Sequence, residues 1–137
     1  MGVAEQLPFA TASFDVVVCV DVLEHVQSVP QTLSEIRRVL KPGGTFLFDT
    51  INRNWASKLI MVGLLEHALG VIPRGTHSWK MFIRPAELQK MLAQNGFLNI
   101  EMAGLHPSGF SFAKKSPTFA VTNLKPVMYV GKAVVPS

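Results

Sequence analysis

FDVVVCVDVLEHVQSVPQTLSEIRRVLKPGGTFLFDT, residues 14–50, decides the fold. Phe14 to Val20 is an apolar, mostly β-branched run in which Asp15 is the one charge. A continuous run of this kind suits a strand covered on both faces, central in a parallel sheet. Ser28 and Gln31 are spaced as a capping box, and Val29, Leu33, Ile36 and Leu40 recur on one face, which predicts a helix from about Val29 to Leu40. Lys41-Pro42-Gly43-Gly44 stops that helix. Thr45 to Thr50 (TFLFDT) is short, apolar and β-prone. Strand, helix, Gly-rich turn and strand together form one βαβ crossover, so the class is α/β.

Downstream, Asn52 to Gly75 is too long for a simple connection and carries its own helical pattern around Ala56 to Leu69, the mark of an insertion. Arg84-Pro85-Ala86-Glu87 opens another helix with proline in its first turn, Leu88, Met91 and Leu92 form its apolar stripe, and Gly96 closes it. Phe97 to Leu105 sets Leu98, Ile100 and Met102 against Asn99 and Glu101, the alternation of a half-buried strand. A last strand is expected at Val127 to Val135, reached through a Gly/Ser/Pro-marked connecting segment, His106 to Pro117, with Lys114-Lys115 solvated.

With 137 residues, 48% of them hydrophobic, the chain supports one modest core, a single domain or part of one. The formal charge is +4, but the basic residues are dispersed as Arg37-Arg38-Lys41, Arg53-Lys58, Arg74-Lys80-Arg84 and Lys114-Lys115. That pattern speaks against a nucleic-acid partner. Cys19 is the only cysteine, and no export signal follows Met1, so the expected setting is the reducing cytosol. The longest mid-chain apolar stretch, Leu59 to Leu65, has seven residues, whereas a spanning helix needs about 20.

Asp21, Glu24 and His25 are the sharpest chemical constellation. They follow the first strand directly, where α/β proteins gather ligands at strand carboxyl ends. Spacings of i, i+3 and i+4 turn the three side chains toward one face if this turn is helical. Two carboxylates and an imidazole suit Mg²⁺ or a similar divalent ion with positions left open for substrate oxygens. His25 is alternatively a general base. The bland alternative is a sequence that merely shapes the turn. In the insertion, Leu59, Ile60, Met61, Val62, Leu64, Leu65 and Leu69 lie close together between Arg53, Lys58 and Arg74. Residues 55–72 then read either as an interfacial membrane helix or as a lid or core helix. His77 is by default a surface or hydrogen-bonded structural histidine, with the mouth of the site as its alternative place, and Trp79 and Phe82 are expected to pack the insertion against the domain.

AEQLPFATASFDVVVCVDVLEHV and RRVLKPGGTFLFDT resemble the second half of the class I methyltransferase fold, a Rossmann-like parallel sheet with helices and an antiparallel last strand. TINRN, the apolar insertion and IPRGTHSWKMFIRPAELQKML narrow the resemblance to the ubiquinone-biosynthesis O-methyltransferases, over about residues 2 to 105. The resemblance implies S-adenosylmethionine as methyl donor and a polyprenylated phenol or catechol as acceptor. It implies Asp21 and His25 as catalytic residues, and Asp21, Glu24 and His25 as holders of Mg²⁺ or another divalent cation. It also implies contact of Ala4, Glu5 and Val20 with the cofactor, and a cytosolic enzyme in peripheral contact with a membrane. Departures are plain: Asp21 stands where a glutamate is usual, Val3 where an aspartate commonly bonds adenine. No Gly-rich loop after a strand, nor an acidic residue ending a second strand, precedes Phe14. The expectation is therefore residues 1–137 as a partial methyltransferase domain lacking its amino-terminal cofactor-binding half, with 53–75 as lid or membrane contact. The alternatives are a generic small-molecule methyltransferase and a non-catalytic membrane- or partner-binding remnant.

Overall fold

The computed structural model describes residues 2–59, 79–111, 116–124 and 127–137. Strand β1, Phe14–Cys19, is followed by helix α1, Val29–Val39, and strand β2, Leu40–Ile51. A helical turn α2, Trp55–Ser57, precedes helix α3, Pro85–Gln94, and strands β3, Leu98–Ser111, β4, Ser116–Thr122, and β5, Met128–Val134, complete the fold. The five strands lie in the order β1-β2-β5-β3-β4. β1 and β2 are parallel, and β5 runs antiparallel between β2 and β3, so the class and the antiparallel last strand are as expected.

Local chemistry explains the elements. Ser28, extended at φ −140°, accepts the Gln31 N–H and caps α1, while Arg37 and Arg38 occupy its negative last turn. α3 begins at Pro85, Glu87 bonds back to the Arg84 amide, and Gly96, at φ +78°, turns the chain into β3. Both helices cover the same face of the sheet. Leu33, Ile36 and Leu40, with Leu88 and Leu92, close over Phe46, Phe48, Phe97, Tyr129 and Ala133. The Phe46 ring sits 5.1 Å from Phe48 and 5.7 Å from Phe97. Each such side chain removed from water contributes about 1.5–3 kcal/mol before entropy is subtracted. A smaller cluster of Ile51 and Phe82, flanked by Trp79, ties the segment after α2 to the sheet. Trp79 donates its indole N–H to the Asn54 carbonyl, as its packing role predicts.

Three expectations are corrected. β1 is an edge strand rather than a central one, and only one of its faces is covered: Val16, Val18 and Val20 are 50–61% exposed. No described element lies over that side. The segment His106 to Pro117, expected as an irregular connection, belongs largely to β3 and β4, which pair from Gly104↔Thr122 to Ser111↔Ser116 with a register shift between Pro107 and Gly109. β2 begins at Leu40 instead of Thr45, because Leu40 already pairs with Phe14 across an irregularity. Of the helical pattern at 56–69 only its first turn is described; Ile60–His77, including His67 and His77, and the Lys114-Lys115 pair lie outside the described residues.

The residues before β1 are fastened to α1 by charge. Arg38 donates to the Leu7 and Phe9 carbonyls and to both oxygens of Glu35, of which Oε2 also accepts the Leu7 N–H at 2.8 Å. The Arg38 guanidinium, then that amide, hold the Glu35 carboxyl down at about 2.

Candidate active site

The chain leaves β1 at Cys19 and turns sharply. Asp21 sits at φ +55°, a left-handed conformation that aspartate tolerates better than most residues because its short polar side chain bonds locally. Its backbone N–H donates to Asp49 Oδ1 at 2.7 Å, and His25 N–H closes the next turn on the Val22 carbonyl at 2.8 Å. Leu23 and Val26 bury themselves as anchors on either side of Glu24 and His25. The result is as the spacing predicts. One ligand atom from each of Asp21, Glu24 and His25 lies within 4.8 Å of the others, at the carboxyl end of β1.

The three differ in surroundings. Asp21 and His25 are exposed, while Glu24 is 3% exposed. Glu24 Oε2 accepts from Thr50 Oγ1 at 2.8 Å, but Oε1 is buried with no hydrogen-bond partner. Burial raises the Glu24 carboxyl above its ordinary range, the Thr50 bond offsets part of this, and the neighbouring Asp21 carboxylate raises it further. An orphaned, buried carboxylate oxygen beside a second carboxylate and an imidazole calls for a positive charge, either a proton or a cation. The donor set, two hard oxygens and one nitrogen, fits a divalent ion.

Val20, expected near a cofactor, is exposed and lines an open trough of about 750 Å³ with Val18, Leu47, Asp49 and Val130 on the uncovered sheet face. Val20 is therefore not part of the core. Glu5 is bonded to the start of α1, and Ala4 sits beside it in the turn that the Gln6 N–H closes on the Val3 carbonyl. Glu5 Oε1 accepts the Gln27 N–H at 2.7 Å and the Ser28 N–H at 3.3 Å; a bond from its own backbone N–H, then these two, lower its carboxyl below the usual range. Glu5 thus braces the loop that leads from the cluster into α1. Asp49 and Thr50 escaped the sequence reading; polar residues ending a buried strand were the available signal.

A methyltransferase domain family model matches residues 1–48. The ubiquinone biosynthesis O-methyltransferase of Hahella chejuensis is 44% identical over 102 residues, 74% of this chain and 43% of that protein. Its counterpart from Burkholderia vietnamiensis is 38% identical over 119 residues, 85% of this chain and 50% of that protein. The chain thus spans about half or less of these relatives' length. Among solved structures, a possible histamine N-methyltransferase of Thermotoga maritima, described as S-adenosylmethionine-dependent, superposes with a TM-score of 0.70 at 19% identity, over 97% of this chain and 61% of that one. Phosphoethanolamine N-methyltransferase 2 of Haemonchus contortus, solved with S-adenosylmethionine, gives 0.58 at 16% identity, over 98% of this chain and 36% of that one. The chain has the fold of class I methyltransferases, and over 74–85% of its length its sequence is similar to that of ubiquinone biosynthesis O-methyltransferases.

Proposed function

We propose that this chain supplies the acceptor-activating side of an S-adenosylmethionine-dependent O-methyltransferase whose acceptor is a polyprenylated phenol or catechol. The family supports the reaction and substrate class, and the single observation that carries the site is the buried, unpartnered Glu24 Oε1 inside the Asp21-Glu24-His25 cluster.

A phenol titrates near ~10, so the site must help remove its proton before the oxygen can attack. S-adenosylmethionine, when bound, supplies a methyl group on a sulfonium, whose C–S bond breaks as the C–O bond forms. Asp21, Glu24 and His25 would hold a divalent cation, which supplies Lewis-acid polarisation of the acceptor oxygen. Thr50 fixes Glu24, and the left-handed turn aims Asp21 at the same point. The exposed His25 ring can take the phenolic proton on a nitrogen, a second reading favoured by its exposure beside the buried Glu24. Val20 and the trough offer an apolar wall. Holding acceptor and donor in line supplies much of the remaining acceleration. The insertion at 53–75 is assigned the role of covering the acceptor or meeting a membrane, as the polyprenyl tail requires; no helix among the described residues is long and apolar enough to cross one.

The test is a fusion of this chain to the amino-terminal half of the Hahella relative, assayed with S-adenosylmethionine and a short-chain prenyl catechol. Methyl transfer that falls by ~10²-fold or more in Glu24→Gln is expected, the scale of a lost acid-base or metal contribution. No binding of S-adenosylhomocysteine by the fusion would overturn the methyltransferase reading, and full turnover of Glu24→Gln in chelator would overturn the role of the cluster.

A further inference from the structure

The Glu24 carboxylate and the Asp21 backbone amide are held by adjacent residues of β2. Asp49 and Thr50 end β2, and because successive strand side chains point to opposite faces, Thr50 reaches the covered side, where it is fully buried, while Asp49 stands half-buried in the open trough. Thr50 Oγ1 donates to Glu24 Oε2 at 2.8 Å, and Asp49 Oδ1 accepts the Asp21 N–H at 2.7 Å. The segment from Asp21 to Glu24 therefore crosses the end of β2 and is gripped from both of its faces. Each grip opposes a specific cost. A left-handed aspartate is strained by its Cβ against the backbone, and the Asp49 bond holds it there. A buried carboxylate free to rotate would carry its orphaned oxygen away from the cluster, and the Thr50 bond fixes which oxygen is left open.

We propose that Asp49 and Thr50 are a positioning pair that sets the spacing of the Asp21 and Glu24 carboxylates for a divalent cation, Asp49 acting as a hydrogen-bond acceptor and not as a ligand. This rests on the cation reading of the cluster. Residues that orient ligands without touching the ion commonly control about 10–100-fold of affinity.

The experiment titrates this chain with Mn²⁺ alone, read by isothermal titration and by the electron paramagnetic resonance of free Mn²⁺. In parallel it follows hydrogen exchange at the Asp21 amide without metal. Asp49→Ala and Thr50→Val are expected to weaken Mn²⁺ binding about tenfold or more. Asp49→Asn and Thr50→Ser, which keep the acceptor and the donor, are expected to stay within about threefold of the parent, a loss smaller than one broken hydrogen bond. Exchange at the Asp21 amide should quicken in Asp49→Ala and not in Asp49→Asn. Parent protein that binds no Mn²⁺ overturns the cation reading. Parent binding undiminished in Asp49→Ala overturns the pair alone. An Asp49→Asn loss equal to that of Asp49→Ala overturns the acceptor role in favour of a charge or ligand role. Circular dichroism confirms that each variant compared is folded.

Discussion

At the scale of single residues, Glu24, buried, and Glu35, half-buried, are carboxyls with opposite consequences. Glu24 is raised by burial, so its ionised form costs stability that the cluster's function requires. Glu24→Gln is expected to raise the melting temperature in chelator by a few degrees, on the order of 1 kcal/mol, and to abolish any upward shift caused by Mn²⁺; differential scanning calorimetry with and without the ion checks both. Glu35 behaves the other way. Its folded carboxyl, held at about 2 by Arg38 and the Leu7 amide, lies below the ordinary 4.5. It therefore contributes stability above pH 4.5 that is lost as pH falls toward 2. Urea midpoints measured from pH 6 to pH 2 should show this decline, and Glu35→Gln should start lower and decline less. Asp21, Glu24 and His25 were legible because local spacing alone brings them together. Thr50 and Asp49, 26 and 28 residues away from the groups they hold, were not, since no periodicity links a turn to the end of a later strand.

At the scale of elements, helices α1 and α3 read well because caps, a first-turn proline and an apolar stripe all act within a few residues. Strand extents read less well. Pro107 and the glycines of 104–111 resemble a loop, yet β3 continues to Ser111 because β4 pairs with it and the register shift absorbs the irregularity. Gly131 of β5 shows the same dependence on partners. A Cβ there would lie 2.7 Å from the Glu101 carbonyl oxygen and 2.7 Å from the Phe48 Cε2 atom, with Cζ closer still. Gly131→Ala should cost about 1–3 kcal/mol through forced repacking, read as a lower urea midpoint with an unchanged slope; equal stability would show that Phe48 yields freely.

At the scale of the whole molecule, one face of the sheet is packed under two helices, and among the described residues no element lies over the other. Val16, Val18, Val20 and Leu47 line the open face beside the unpaired edge of β1, with Glu101 and Lys132 paired at 3.2 Å farther along. Parallel strands ordinarily have both faces covered, and an apolar face next to a free edge favours association. Analytical ultracentrifugation of this chain is expected to show concentration-dependent association that Val18→Lys shifts toward monomer. A parent chain that stays monomeric at high concentration would refute this.

The two helices and the acidic-imidazole cluster were determined by the sequence alone, because each rests on residues within a few turns of one another, and the α/β class and the family resemblance followed from the order of such local motifs along the chain. The single covered face of β1, the β3-β4 hairpin, the engagement of Glu5 with α1 and the grip of Asp49 and Thr50 on the cluster were decided only in the tertiary structure. Those features depend on which strand lies beside which, and on whether anything lies above it. A run such as FDVVVCV is equally apolar in either case.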